Sequence, residues 1–318
     1  MEFAGLRNQA LLLICLTSPI CAQTSPPRPV PAELVRKAVQ NEIRENTNST
    51  THFQFKDQRT TPRLSQLKLM VETRDATAGL LVATNGAPLT PEQSQAEAGR
   101  LQNYINHPEE LNRKRRQEKD DAERTMRIIK AMPDAFLYEA DGAQQGNAAI
   151  GGQGHELVRL RFRPNPGYNA PSHVEQVLTG MAGHLLIDAN ENRIAEIDGT
   201  LQKQVGFGWG ILGHLDRGGR FLVHQADVGD GHWEITRMEL AFTGKVLIFK
   251  NLNIRSSDVF TDFRQVPPNL TFAQGVALLT KEAAQGQAVQ RGKGSDAADQ
   301  NARDEGGNEQ NTQLCCEH

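Results

Sequence analysis

The sequence predicts an α+β chain: a strongly curved antiparallel sheet capped by helices and interrupted by a helical-hairpin insertion. Three observations predict it. Between Ala182 and Phe263 the β-rich runs follow one another with no helical period between them. They are joined by Asn190-Glu191-Asn192, Arg217-Gly218-Gly219, Gly229-Asp230-Gly231 and Thr243-Gly244, residue types that turn hairpins. Within this meander Leu201, Val205, Phe207 and Trp209 share one parity while Gly206, Gly208 and Gly210 hold the other, a bare face on which a sheet bends or another element lies. Helical periodicity is confined to segments outside the meander.

Taken in order, Pro31 to Asn46 places Leu34, Val35, Ala38, Val39 and Ile43 on one face, an amphipathic helix opened by proline. His52–Lys56, Gln66–Arg74 and Gly79–Thr84 follow as strands. In the second, Leu67, Leu69 and Val71 alternate with Lys68, Met70 and Glu72, the period of a half-buried strand. Asn85-Gly86 turns the chain. Thr90-Pro91-Glu92-Gln93 has the form of a capping box with proline at the first helical position, opening a helix to about Asn106. Pro108 opens a second helix reaching about Met132. Glycine-rich Asp141 to Gly154 reads as a surface loop, because no Lys-Ser or Lys-Thr follows the glycines and His155 to Arg163 continues as a strand. Ser172 to Met181 forms a short helix. The meander runs are Gly183–Asp188, Ile194–Trp209, Arg220–Val228, His232–Phe242 and Lys245–Phe263, and Thr271 to about Ala284 closes the fold as a helix through Phe272, Val276 and Leu279. Val246-Leu247-Ile248-Phe249, apolar at both parities, predicts a strand covered on both faces.

The ends of the chain set its organisation. Arg7, the apolar Ala10 to Leu16 and a small-residue context at Ala22 predict a signal peptide over 1–22, with export to the periplasm or medium. That run is shorter than the roughly 20 residues a membrane span needs. Cys21 sits in a poor lipidation context, since Ile20 occupies a small-residue position. Residues 23–30 form a linker, 31–284 the folded domain with its helical insertion at 90–132, and 285–318 a tail too polar to repay its ordering entropy. Of the four cysteines none falls in the predicted folded body; Cys315 and Cys316 lie in the tail. A net charge of −3 leaves no electrostatic footprint for nucleic acid.

Motifs that name a reaction are missing from the sequence. Asp188-Ala189-Asn190-Glu191-Asn192 begins like a calcium loop, but Arg193 stands where glycine is required and Gly199 where glutamate is. His214, His224 and His232 fall on or near neighbouring strands without the spacing of a zinc site. There is no Gly-x-Ser-x-Gly elbow. Carboxylates at Glu196, Asp198, Asp227, Glu234 and Glu239 are plentiful, and their pairing depends on the fold. The sequence therefore predicts no cofactor and no metal. Arg113-Lys114-Arg115-Arg116 on the insertion reads either as a solvated helix face paired to nearby acids or as a contact with a membrane surface. Arg159, Arg161 and Arg163 alternate with Val158, Leu160 and Phe162, giving either a solvent face or the polar mouth of a cavity.

The order of helix, strands, helical insertion and long meander resembles the LolA-like outer-membrane lipoprotein-sorting family over roughly Pro31 to Leu279. The segments that carry the likeness are Gly183-His184-Leu185-Leu186-Ile187-Asp188, Arg193-Ile194-Ala195-Glu196-Ile197 and Asp258-Val259-Phe260-Thr261-Asp262-Phe263-Arg264. The resemblance implies that the strongly curved, helix-capped sheet is an unclosed β-barrel around an apolar cavity that binds acyl chains. Such a site needs little directional chemistry, because each buried methylene contributes about 0.8 kcal/mol. The expected lining is Leu201, Val205, Phe207, Trp209, Phe221, Trp233, Ile235 and Ile248, residues that would equally fill a packed core. The expected function is an exported, non-enzymatic carrier or binder of lipid or acylated protein. The alternatives are an envelope scaffold that binds a protein partner through a solid fold, and a hydrolase using carboxylates or histidines such as Glu234 and His232.

Overall fold

The computed structural model describes residues 30–207, 213–246 and 250–286. The N-terminal helix α1 (Pro31–Asn48) leads into strands β1 (His52–Thr60), β2 (Ser65–Val71), β3 (Ala78–Thr84) and the two-residue β4 (Ala87–Pro88). Asn85 and Gly86, at φ 50° and 77°, make the β3–β4 turn, a left-handed pair that asparagine and glycine tolerate best. The hairpin α2 (Pro91–Asn106) and α3 (Pro108–Ala135) follows. At its start the Thr90 side chain accepts from the Gln93 N–H while the Gln93 side chain accepts from the Thr90 N–H, the reciprocal cap expected from the sequence.

The chain then returns to sheet: β5 (Phe136–Gln145), β6 (Glu156–Pro164), a 3-10 turn η1 (Glu175–Gly180), β7 (Met181–Asp188), β8 (Arg193–Leu201), β9 (Val205–Phe207), β10 (Gly213–Leu215), β11 (Arg220–Asp227), β12 (Trp233–Val246) and β13 (Lys250–Val266). A last helix, α4, occupies 272–286 of the described residues. All strand pairs are antiparallel, in the order β4-β3-β2-β1-β13-β12-β11-β8-β7-β6-β5, with β10 pairing β12 and β9. The terminal strands β4 and β5 do not pair with each other, so the sheet is open.

Three sequence expectations are corrected. The run from Ile194 to Trp209 is not one strand: β8 ends at Leu201, where the Leu201 N–H turns to Gly219 O and the Gln202 N–H to Gly180 O, and β9 restarts at Val205. Thr243-Gly244 is not a turn. Both lie within β12, Gly244 opposite Leu252, because a side chain there would collide with His214 O at 2.1 Å and glycine alone admits β10 alongside. Asp141 to Gly154 is not a free loop. Its first five residues continue β5 past a bulge, and the remainder is pinned by Gly151 bridging Ala226 and by Gly152 donating to buried Asp188. The expected doubly covered strand at Val246–Phe249 lies largely outside the described residues.

The register places the two larger apolar cores on opposite faces of the sheet, beside a small third cluster of Leu157, Leu186, Ala195 and Trp233. Leu160, Leu185, Ile197, Val223, Met238, Asp258, Arg59 and Gln66 stand side by side across eight strands and therefore share one face. On that face Leu160, Phe162, Leu185 and Leu201 pack against Leu34, Val35 and Val39 of α1 and Met132 of α3. In β2, Leu69 and Val71 have the parity opposite to Gln66, and they pack on the other face with Leu101 of α2 and Phe272 and Leu279 of α4. Helix α3, about 42 Å long at 1.5 Å per residue, reaches both: Leu111 touches the second core and Ile128 and Ile129 the first.

Candidate ligand-binding site

The sheet forks at one end. β12 and β13 pair from Val246 and Lys250 to Arg237 and Val259, and there the ladder stops; β12 continues to Trp233 alongside β11, while β13 continues to Val266 alongside β1. A cleft of about 550 Å³ lies at the fork, between the β1–β2 end, the start of β12, and helices α1 and α3. That volume falls among those of small-molecule sites. Its apolar wall is Met126, Ile129, Trp233 and Ile235; its polar groups include Glu42, Glu45, Glu72, Glu234, Arg193, His52 and His232.

Each polar group is held by a specific local feature. Glu42 follows Ala38 and Val39 on the buried face of α1, and its carboxylate receives Arg193 Nε at 2.9 Å, Arg193 Nη2 at 3.0 Å and the Ile194 N–H at 3.0 Å. The bulge between β7 and β8 gives β8 one extra residue here, freeing that N–H from the ladder. The Arg193 guanidinium also lies 5.4 Å from the Trp233 ring centre. Glu72 directly follows β2 and accepts the Phe53 N–H at 2.9 Å; burial raises its pKa above the ordinary carboxyl value against the opposing effect of that hydrogen bond. Glu234 is pushed to about 7, first by burial and then by the charge of Glu72, with Arg193 opposing. His52 Nδ1 is withdrawn from solvent and has no hydrogen-bond partner among the described residues.

From the lip of this cleft an aromatic strip runs along the sheet. His232 meets Phe53 edge to face at 5.7 Å, Phe53 meets Phe263 at 6.1 Å, Phe263 stacks on Phe55 at 5.3 Å, and Phe55 meets Phe260 at 6.0 Å. Phe260 and Phe263, three residues apart, would face opposite ways on a regular strand. A bulge in β13 at left-handed Asp262 (φ 58°) turns both to one side, and Lys56 holds Asp262 at 2.6 Å. Met70, opposite Phe55 in the ladder, extends the strip. Phe53 is buried and forms the floor, whereas Phe55, Phe260, Phe263 and Met70 are half-buried. The principal sheet contacts of α1, α2 and α3 fall on β3, β5, β7 and β8, while α4 packs on Leu69 and Val71 of β2, on the face opposite the strip.

Of the residues expected to line a cavity, Trp233 and Ile235 reach the cleft. Leu201 and Val205 are buried in the first core, with Phe207 and Phe221 packed against it. Trp209 and Ile248 lie outside the described residues. Arg159 pairs with Asp141 at 3.4 Å, Arg161 with Glu139 at 3.4 Å and Arg163 with Glu139 at 3.7 Å; none of the three lines the cleft. On α3, Arg113 pairs with Glu110 and Lys114 with Glu118, while Arg115 and Arg116 are exposed. The three meander histidines do not converge: His214 meets Asp216 and His224 meets Glu196 at 3.0 Å, while His232 joins the strip. Asp188 accepts from Gly152, His155, Asn190 and Glu191, so both its oxygens are engaged by protein donors and the calcium-like loop is a turn.

Sequence reasoning missed Glu42, Glu72 and the aromatic strip. Glu42 was legible, because it continues the apolar stripe of α1. Glu72 carries no such signal, since in the sequence it shares the polar parity of Lys68.

The fold and site define an open antiparallel α+β sheet with a mixed polar and apolar cleft. No protein-family model matches the chain, and no curated protein matches it. Among solved structures, the crystal structure of a DUF1329 family protein from Desulfovibrio piger aligns with 77% of this chain and 98% of its own, at 8% identity and a TM-score of 0.23. At those values the likeness carries nothing about fold or function.

Proposed function

We propose that this chain is a non-enzymatic binder or carrier of an amphipathic, acyl-bearing ligand, a lipid or an acylated protein, acting in the cell envelope after export. The observation that supports this reading is the continuity of the half-buried aromatic strip with the polar cleft: His232, Phe53, Phe263, Phe55 and Phe260 form one chain of ring contacts. An acyl chain lying along the strip would bury surface that Phe55, Phe260, Phe263 and Met70 leave partly open, while its polar end would reach the cleft. Each methylene taken from water contributes about 0.8 kcal/mol, so ten would contribute several kcal/mol after ordering costs. The LolA-like resemblance of the sequence agrees with this reading.

The test is native mass spectrometry of protein purified without detergent, followed by organic extraction and lipid analysis, on the wild type and on Phe55→Gln and Phe260→Gln variants. The expected result is a reproducible bound lipid in the wild type that is depleted in the variants at an unchanged melting temperature. A clean apo mass, with no uptake of added fatty acid or phospholipid, would sink the carrier reading in favour of a scaffold.

A further inference from the structure

The geometry points to a limit on the length of the ligand's chain: Asp57 and the Arg59–Asp258 ion pair end the aromatic strip and stop an acyl chain there. This rests on the reading of the strip as the seat of that chain. The strip follows β1 away from the cleft, from Phe53 to Phe55, with Met70 opposite on β2 and Phe263 and Phe260 alongside on β13. One rung further, Asp57 stands between Lys68 of β2 and Phe260 of β13. At the next rung Arg59 stands between Gln66 and Asp258, so on this face none of the three strands presents an apolar side chain.

Asp258 is fully buried and Asp57 nearly so. Arg59 Nε donates to Asp258 Oδ1, while Asp258 Oδ2 and Asp57 Oδ1 are hidden from solvent with no hydrogen-bond partner among the described residues. Burial, and then the charge of Asp258, raise the Asp57 carboxyl above its ordinary value, with Arg59 and Lys68 opposing; the four charges therefore act on one another across the strands. A methylene laid over this belt takes water from the exposed part of Arg59 and from half-buried Lys68 and supplies no hydrogen bond in return. The apolar floor ends where that cost begins. From Phe53 to Asp57, β1 advances about 13 Å at roughly 3.3 Å per residue. An extended alkyl chain advances about 1.3 Å per carbon, from the C–C bond length and tetrahedral angle, so this floor seats roughly ten carbons. The 5.7 Å step from Phe53 back to His232 seats about four more. The strip thus measures an acyl chain at about 14 carbons.

The probes are the even-numbered straight-chain fatty acids from octanoate to octadecanoate, one head group throughout. They compete as an equimolar mixture, below micellar concentration, for the full chain purified without detergent and stripped of bound lipid. Native mass spectrometry reads which lengths are held. Relative occupancy should rise about twofold per methylene, half the free energy of full burial, and level off near 14 carbons. Arg59→Met/Asp258→Leu joins the strip to Met238 on β12 and opens one more rung. In that variant octadecanoate should exceed tetradecanoate by about tenfold, whereas the wild type holds the two equally. Phe260→Glu, at a half-buried position, brings charge one ring nearer the cleft and should move the break to about ten carbons. Circular-dichroism melts certify that each variant is folded, and the second keeps the test decisive if the first is not. Occupancy that climbs evenly to octadecanoate in the wild type, or a break that stays in place in a folded variant, would overturn the stop and leave the carrier reading standing. Failure of every length to bind would overturn the carrier reading and the stop with it.

Discussion

Glu234 makes the stability of this protein depend on pH in a direction opposite to that of most carboxylates. Burial and the neighbouring Glu72 raise it from 4.5 to about 7. Below 4.5 the group is protonated in folded and unfolded chains alike and contributes nothing. Between 4.5 and about 7 the unfolded chain releases the proton and the folded chain keeps it, so stability falls as pH rises and levels off above the folded value. The full penalty is roughly 3 kcal/mol, from about 1.4 kcal/mol for each tenfold change in the ionisation constant. Glu234→Gln keeps the shape and cannot ionise, so it removes this penalty. In urea unfolding at a series of pH values from about 4 to 8, the variant should approach the wild type at the acid end and exceed it by roughly 3 kcal/mol at pH 8. Parallel wild-type and variant profiles would refute the placement of Glu234 in a desolvated, acid-facing cleft. Because Glu72 is raised for a similar reason, Glu72→Gln should move the profile the same way, offset by a weaker hydrogen bond to the Phe53 N–H.

Three further outcomes follow from the packing. Arg193→Met strands Glu42 at a buried position and should cost about 3–5 kcal/mol in denaturant unfolding, with the Glu42→Gln/Arg193→Met pair recovering part of the loss in a double-mutant cycle. Gly275→Ala on α4 brings a methyl to 2.7 Å from Thr73 Cγ2 and 3.0 Å from Val71 Cγ1; despite alanine's better helix propensity, the thermal midpoint should drop, by the equivalent of about 1–3 kcal/mol. Thr90→Ala removes the reciprocal cap of α2 and should cost about 1 kcal/mol, seen as earlier hydrogen exchange in the first turn of that helix.

The elements legible in the sequence are those fixed by short-range physics. Leu34, Val35, Ala38 and Val39 recur at helical spacing and form the buried face of α1. The reciprocal cap at Thr90 and Gln93 and the left-handed pair Asn85-Gly86 state their local conformations through a few adjacent residues. The antiparallel meander was likewise predictable from alternation and turn chemistry, whereas the openness of the sheet was expected only from the family resemblance. Where a boundary was missed, a distant partner had overridden the local signal: Gly244 reads as a turn residue, yet it is glycine so that β10 can lie beside β12.

The sequence by itself thus determined most of the segments that become helix or strand and that the sheet is antiparallel, because backbone preference and hydrophobic period act over a few residues. Only the tertiary structure decided that the two cores lie on opposite faces, that β12 and β13 part beyond Arg237, and that Glu72, Glu234 and the Glu42–Arg193 pair line the cleft so formed. Those facts depend on strand register and on a bulge that realigns Phe263 with Phe260, and register is set by which distant strand a segment meets rather than by its own residues.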